Sequence, residues 1–451
     1  MHRMKQLLWK LVLKIGRHDY SKEYEQINRA IGKNQLEELR EERIKELLVH
    51  AYQNVPYYKK ILREAGVVIR DQVDLTKFDQ IPLLTKDIIR SNFESLTSHD
   101  LNTRRWYYKR TGGSTGEPVK FIHDDRYTKW KNAANKYYYS NVLGVDEDAV
   151  KKIILWGSEA DLLRAKTGFK KKIMSYLRNT VVLNAFKMDE ASMSSYVEKI
   201  NSYKPYVIRG YSGALFELAD YISRNSLTVH SPHLVISAAE NLYEYMRRSI
   251  SKTFQAPVYD FYGTREVGDI AGECQNGLMH QLPFNNFIEI LDDRGQPATK
   301  GRVIVTNLHN YSFPFIRYEI GDLAELGPQT CDCKIPTPTL KELTGRVTDC
   351  LAAIDGSPVP SEFFIHFVGV TLNQGQIRQF QVVQKTRDEI EILFVPLGEL
   401  PAQNRRDIET KIRLVMGESC RIVWKQVETI PKTKNGKYVY VKSLLSRERE
   451  R

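Results

Sequence analysis

Residues 110–121 read RTGGSTGEPVKF, with three glycines, one serine and two threonines crowded into positions 111–116 and a lysine four residues beyond. Glycines open dihedrals closed to other residues and let backbone N–H groups come close to a ligand. Successive amides with hydroxyls among them form a concavity suited to phosphate oxygens. A surface turn followed by an incidental lysine would read the same way. The surrounding chain has to decide between them.

Downstream of the loop, short β-branched runs alternate with helical stretches. VKKIILWG, YVIRGY, HLVISA and PVYDFYG predict buried strands, and DEASMSSYVEKINSY, SGALFELADYISRN and NLYEYMRRSISKTF predict the helices between them. That rhythm predicts an α/β fold with a mostly parallel sheet covered by helices. Upstream, LEELREERIKELLVHAYQNVPYYKKILREAG reads as two helices broken at Val55 and Pro56, and LTKDIIRSNFESL begins another, capped by Thr85. Residues 1–95 are therefore expected to be helical. After Gly272 the pattern changes, and NNFIEILDDRGQP with GRVIVTNL predicts strand, turn and strand, an antiparallel insertion. Beyond TGRVTDC, strands near QFQVVQ, EIEILFV and RIVWKQV and a helix over AQNRRDIETKIRLVM predict a small C-terminal α+β domain. The expected division is a large domain over residues 1–344 and a small one over residues 345–451.

A chain of 451 residues is long for one core, and 42% of them are hydrophobic, so a folded protein of two or more domains is expected. No apolar run is long enough to span a bilayer. The start, MHRMKQLLWKLVLKIGRH, is interrupted by Lys10 and Lys14 and has no small-residue cleavage site, which argues against a signal peptide. Met4, Leu7, Leu8, Leu11 and Ile15 fall at helical spacing, with Arg3, Lys5, Lys10, Lys14 and Arg17 around them. This basic amphipathic helix is expected to dock on the large domain; contact of residues 1–17 with an anionic membrane surface is the alternative. The net charge of +12 is spread along the chain without a nucleic-acid-binding module, so small polyanions such as nucleotides are the expected partners and nucleic acid is not. Five cysteines, Cys274, Cys331, Cys333, Cys350 and Cys420, form an odd set; together with the lack of a secretory signal they point to a reducing cytoplasm and to metal binding before disulfides.

Five stretches taken in order settle the reading of the opening loop: TGGSTGEPVK, YDFYGTREVG (residues 259–268), IRYEIGDL (316–323), LTGRVTD (343–349) and IPKTKNGK (430–437). Their order and spacing resemble the adenylate-forming superfamily and, within it, the phenylacetate–CoA ligase and CapK-like branch. HAYQNVPYY, YSGALFELADYI and REVGDIAGEC are supporting matches, and the resemblance covers nearly the whole chain. It implies a cytoplasmic, ATP- and Mg²⁺-dependent enzyme that activates a carboxylic acid as an acyl-adenylate and passes the acyl group on, with CoA the leading acceptor. An amine or hydroxyl acceptor, or direct adenylyl transfer, stays open. The CapK-like character adds an association with capsule or other surface polysaccharide biosynthesis.

Carried over residue by residue, the resemblance implies that Thr111, Gly112, Gly113, Ser114, Thr115 and Gly116 cover the ATP phosphates, with Lys120 as a nearby cation. Tyr262 would stack beside adenine, with Gly263 and Thr264 in the same motif, and Glu266 would help hold Mg²⁺, a hard ion that prefers carboxylate and phosphate oxygens. Asp322 would accept from the ribose hydroxyls, and Arg346 would reach the ribose or the phosphates. Lys437, in a polar turn with a glycine, would bridge the substrate carboxylate and the α-phosphate, offsetting repulsion between two anions. One departure is Thr348, at the usual pivot position ahead of Asp349; it leaves open how readily the small domain turns between the half-reactions. A non-catalytic nucleotide-binding relative is the competing class, against which the presence of Lys120, Glu266, Asp322, Arg346 and Lys437 argues.

Cys274, His280, Cys331 and Cys333 suit a structural tetrahedral zinc, as members of the branch resemble this chain here; four unrelated loop residues are the alternative. WGSEAD, RGYSGALF and SAAENL are expected to line the acyl pocket or abut the nucleotide, and Trp156, Tyr211 and Phe216 suggest an apolar or aromatic cavity. Buried strand-end aromatics would explain those residues equally well.

Overall fold

A computed structural model describes residues 8, 9, 12, 19–110, 119–157, 175–185, 187–346, 351–356, 358, 359, 364, 377–398, 400–431 and 439–445. The first described helices are α1 (Ser21–Gly32), α2 (Leu36–Asn54), α3 (Pro56–Glu64) and α4 (Lys86–Ser91). Pro56 separates α2 from α3. It sits at a first helical position, where its missing N–H is not needed, and holds Val55 extended at φ −117° and ψ 107°. Thr85 caps α4 by accepting from the Ile88 N–H at 3.3 Å. That helix stops earlier than expected: the Asn92 side chain bonds the Ile88 carbonyl at 3.0 Å, and a separate turn, Phe93–Leu96, follows.

The hairpin strands β1 (Trp106–Arg110) and β2 (Lys120–Asp124) lead into α5 (Asp125–Tyr137). The parallel region follows as β3 (Lys152–Trp156), β4 (Thr180–Asn184), α6 (Glu190–Tyr203), β5 (Val207–Tyr211), α7 (Ser212–Arg224), β6 (Leu234–Ala238), α8 (Glu244–Phe254) and β7 (Val258–Thr264). After it come β8 (Gly268–Glu273), β9 (Met279–Gln281), β10 (Asn286–Leu291), β11 (Lys300–Asn307), β12 (Tyr318–Leu326) and β13 (Thr339–Arg346). Eleven of these strands form one sheet, ordered β10-β11-β12-β13-β9-β8-β7-β6-β5-β3-β4. Pairs from β4 to β7 are parallel and those from β7 to β10 antiparallel. The antiparallel part is thus a continuation of the same sheet, since β8 turns straight back along β7 and carries the ladder onward.

Side-chain alternation decides what each face of the parallel region covers. Ile153, Ile208, Val235 and Val258 stand in register and bury against Val197, Leu215, Leu218 and Ile250 of α6, α7 and α8. Each such fully buried aliphatic contributes roughly 1.5–3 kcal/mol. Ile236 and Phe261 belong to a second cluster with Trp130, Ala134 and Tyr137 of α5. A single π-turn, Tyr138–Val142, continues α5 and lays the Tyr138 ring on Gly272 of β8, where a Cβ would fall 2.2 Å from it. The Tyr138 hydroxyl donates to the Glu273 carbonyl at 3.0 Å.

A smaller C-terminal domain has its own sheet, built from β14 (Ile377–Thr386), β15 (Glu389–Pro396), α9 (Ala402–Met416), β16 (Arg421–Gln426) and β17 (Val441–Ser443), in the strand order β16-β15-β14-β17. Its core gathers Val382, Ile390, Ile392, Ile408 and Met416. The Tyr440 ring faces Tyr243 of the large domain edge-on, centroids 6.4 Å apart. Within residues 1–17, Leu8 of the expected apolar stripe is 46% exposed, whereas Trp9 is buried with the Arg178 guanidinium 5.2 Å from its ring centroid. The larger aromatic surface, stacked by a cation, takes the buried position instead. Among the described residues no helix is long and apolar enough to cross a membrane.

Candidate functional site

Strands β1 and β2 pair antiparallel up to Arg110 and Lys120, so the residues that flank the glycine-rich stretch are held side by side. Thr111, Gly112, Gly113, Ser114, Thr115 and Gly116 themselves lie outside the described residues, as do Thr348, Asp349, Cys350 and Lys437. The Lys120 ammonium rests over Tyr108, 3.9 Å from the ring centroid, and 4.8 Å from that of Phe93. Those two rings fix an exposed cation at the base of the loop.

Glu266 lies between β7 and β8, buried, and held at two points. The buried Tyr318 hydroxyl donates to its Oε1 at 3.0 Å, and the His123 Nε2–H donates to its carbonyl at 2.8 Å. His123 also stacks on Tyr127, centroids 3.7 Å apart. Burial pushes the imidazole down to about pKa 3, so it stays neutral and keeps that donor. Asp124, next in sequence, accepts from the Tyr127 N–H at 2.9 Å as the cap of α5 and from the Ser312 N–H at 2.9 Å.

Tyr262, four residues before Glu266, donates its hydroxyl to Asp322 Oδ2 at 2.7 Å. Asp322 in turn stands opposite Arg346 in the register of β12 and β13. Three residues expected around adenosine are thus brought to neighbouring positions by strands far apart in sequence. Gly263 has a local reason to be glycine, since a Cβ would lie 2.6 Å from the Gly268 carbonyl oxygen across the hairpin. Thr264 accepts the Val267 N–H at 3.2 Å and shapes the turn that presents Glu266.

Cys274, His280, Cys331 and Cys333 converge from the end of β8, from β9 and from the segment before β13, with all four ligand atoms within 4.8 Å of one another. The sulphurs of Cys274 and Cys331 are 3.8 Å apart, too far for a disulfide, and His280 Nε2 is 3.1 Å from the Cys333 sulphur. His280 Nδ1 faces the Thr337 carbonyl at 3.2 Å, so Nδ1–H donates there and the Nε2 lone pair points into the cluster. Burial lowers the His280 pKa and keeps that lone pair available.

Trp156 and Tyr211 pack with centroids 4.3 Å apart at the carboxyl ends of β3 and β5, and the Tyr211 hydroxyl donates to the Gly157 carbonyl at 3.0 Å. Glu240 accepts the Gly213 N–H at 2.9 Å, joining the SAAENL segment to the start of α7. Phe216 packs, partly buried, against the cluster of α6, α7 and α8. From the quoted stretch WGSEAD, only Trp156 and Gly157 are within the described residues. Sequence reasoning missed His123, which follows the opening stretch by two residues, and Tyr318, which stands inside IRYEIGDL; neither carries a local signal.

The mixed sheet followed by a small α+β domain is the fold of the adenylate-forming ligases. A 2-hydroxyisobutyryl-CoA ligase in its postadenylation state, with R3-HIB-AMP bound, superposes with a TM-score of 0.71 at 16% identity, covering 93% of this chain and 91% of that one. In sequence the chain is similar to CapK and to the phenylacetate–CoA ligases. Protein CapK of Staphylococcus aureus is 26% identical over 427 residues, 92% of this chain and 90% of that protein. Phenylacetate-coenzyme A ligase of Pseudomonas putida is 26% identical over 334 residues, 71% of this chain and 72% of that one. The CapK C-terminal domain family matches residues 351–444.

Proposed function

We propose that this protein is an ATP-dependent, AMP-forming ligase that activates a carboxylic acid as its adenylate and transfers the acyl group to CoA. The observation that carries the reading is the bond between Tyr262 and Asp322, with Glu266 on the same hairpin and Arg346 in register with Asp322. That arrangement sets an aromatic ring and a carboxylate acceptor for a nucleoside beside a buried carboxylate suited to Mg²⁺. Magnesium, when bound, supplies charge neutralisation for the phosphates. The chain's own part is to orient Glu266 through Tyr318 and His123 and to enclose the phosphates with the loop at residues 111–116. Lys437 brings the second cation when the small domain closes. The test is ATP–pyrophosphate exchange across a panel of carboxylic acids, followed by CoA-dependent thioester formation. Exchange with none of the acids, in protein that binds ATP, would favour the non-catalytic relative.

The cysteine cluster fits a structural zinc. A tetrahedral zinc with sulphur ligands at about 2.3 Å separates them by about 3.8 Å, which is the Cys274–Cys331 separation of 3.8 Å. Four protein ligands leave no open position, so the ion would brace β8, β9 and the segment bearing Cys331 and Cys333. A reducing, cytoplasmic location goes with these free thiols, and a surface polysaccharide pathway with the CapK relationship.

A further inference from the structure

Two lysines and an arginine gather where the antiparallel pair β1 and β2, helix α5 and the turn between β7 and β8 meet. Residues directly opposite in such a pair share a face. Lys109 stands opposite Phe121 and Tyr107 opposite His123, so these four lie on one face; Arg110 and Tyr108, opposite Lys120 and Ile122, lie on the other. The Lys109 ammonium is 5.5 Å from the Tyr107 ring centroid, and Tyr107 meets His123 edge-on, which in turn stacks on Tyr127 of α5. One helical turn past Tyr127, the Lys131 stem runs beside Gly268, where a Cβ would lie 3.4 Å from its Cγ and Cδ. Gly268 pairs with Thr264 across the turn that carries Arg265. The Arg265 guanidinium donates to the Tyr211 hydroxyl at the carboxyl end of β5. Lys109 and Arg265 are exposed and Lys131 is half-buried, so the cluster opens to solvent.

Its charge is not balanced. Among the described residues none of the three cations has an ion-pair partner. Carboxylates around them are engaged elsewhere: Glu266 accepts from the Tyr318 hydroxyl, Asp269 from the Asn135 amide and Glu240 from the Gly213 N–H. Partial burial of its ammonium lowers the Lys109 pKa, the charges of Lys131 and Arg265 lower it further, and no carboxylate acts against them. Like charges held together in this way repel, and a bound anion would remove that repulsion.

We propose that Lys109, Lys131 and Arg265 form a binding site for an oxyanion of two or more charges, a phosphate or paired carboxylates, on a ligand that enters beside Tyr211. The site is separate from Lys120, which stands on the opposite face of the strand pair. Arg265 supplies a planar fork for two-point contact, and the lysines supply point charges that adapt to the shape of the anion. Binding here needs no adenylation chemistry, so the inference does not rest on the acyl-activating reading.

The test uses the full chain without ATP, at fixed ionic strength set with chloride, and reads the rise in melting temperature caused by inorganic phosphate, glutarate and valerate. The variants are Lys109→Met, Lys131→Met, Arg265→Met and the three combined. In the wild type, phosphate or glutarate should half-saturate at a concentration at least about tenfold below valerate. Each single substitution should raise that midpoint about fivefold, the scale of one exposed ion pair, and the triple variant should not respond. Without any probe the triple variant should melt at or above the wild-type temperature, because mutual repulsion has been removed. Preference for phosphate would identify a phosphorylated ligand, and preference for glutarate a polycarboxylic acid. Responses no larger than those to chloride would reduce the cluster to screened surface charge and overturn the proposal. So would valerate matching the dianions, or a response that survives the triple substitution. Should the triple variant not fold, Lys109→Met at its exposed position decides the matter, and an unshifted midpoint there overturns the proposal. Since no step uses ATP, failure here leaves the adenylation reading standing, and absence of exchange with every acid would leave the anion site standing.

Discussion

The Tyr262 hydroxyl donates to the Asp322 carboxylate at 2.7 Å, across 60 positions of sequence. If this pair receives the nucleoside, each partner has a distinct cost. Asp322→Asn removes a charged acceptor and is expected to raise the KM for ATP about ten- to a hundredfold. Tyr262→Phe keeps the ring and loses one hydrogen bond, for about fivefold. Initial-rate exchange at varied ATP measures both, and an unchanged KM in Asp322→Asn would rule out the ribose role.

Glu266 and Tyr318 should separate through magnesium. Glu266→Gln is expected to lose about a hundredfold or more of exchange at any Mg²⁺ concentration, the scale of one preorganised charge. Tyr318→Phe leaves the carboxylate and removes the donor that aims it at 3.0 Å. It should lose about tenfold and recover as Mg²⁺ is raised. Titration of both variants with MgCl₂ checks this; failure of Tyr318→Phe to respond would place the tyrosine outside the metal's orientation.

Acid should destabilise the fold through buried imidazoles. Burial holds His123 at about pKa 3 and lowers His309 and His50 as well, against an ordinary value of 6.5. The folded protein keeps these rings neutral where the unfolded chain protonates them, so their contribution is whole above about pH 6.5 and lost as pH falls toward the folded values. For His123 alone the loss between about pH 6.5 and pH 5 is about 2 kcal/mol. His123→Gln, which can still donate to the Glu266 carbonyl, should flatten the fall in urea midpoint over that range. An equally steep fall in the variant would assign the effect elsewhere.

For the cysteine cluster, elemental analysis is expected to give one zinc per chain. Cys331→Ser, or prolonged chelation, should lower the melting temperature by several degrees, while the KM for ATP in the surviving protein changes little. Metal-free protein with the same melting temperature would leave the four residues as neighbours only.

Lys437 lies outside the described residues, and its expected role comes from the TKNGK turn. Lys437→Ala should lose about a hundredfold or more of acid-dependent exchange while unfolding at the wild-type temperature. It should still convert a supplied acyl-adenylate to thioester if CoA is the acceptor. Wild-type exchange in this variant would remove the lysine from the adenylation step.

Much of this architecture is written locally. Pro56, Thr85 and the runs around Ile153, Ile208, Val235 and Val258 place helices and strands because caps, proline and alternation act within a few residues. The cysteine set was legible for a similar reason, since few residue types ligate a soft ion. What the sequence could not carry was distance across the fold. Nothing near Tyr318 says that its hydroxyl meets Glu266, and nothing near His123 says that it holds the same residue from behind. The antiparallel strands were legible for the same local reason, while their neighbours were not: GRVIVTNL announces a strand and is silent about what it pairs with.

One helix connects the cysteines with Glu266. Cys274 follows β8, where Gly272 receives the Tyr138 ring and the Glu273 carbonyl accepts its hydroxyl. Tyr138 continues α5, and α5 begins at the Asp124 cap, beside the imidazole that grips Glu266 from behind. Gripped at both ends in a close-packed interior, α5 behaves as a strut, passing a displacement along its length instead of absorbing it. A metal bound at the sulphurs would in that way stiffen, without any shared ligand, a carboxylate at the opposite end of β8.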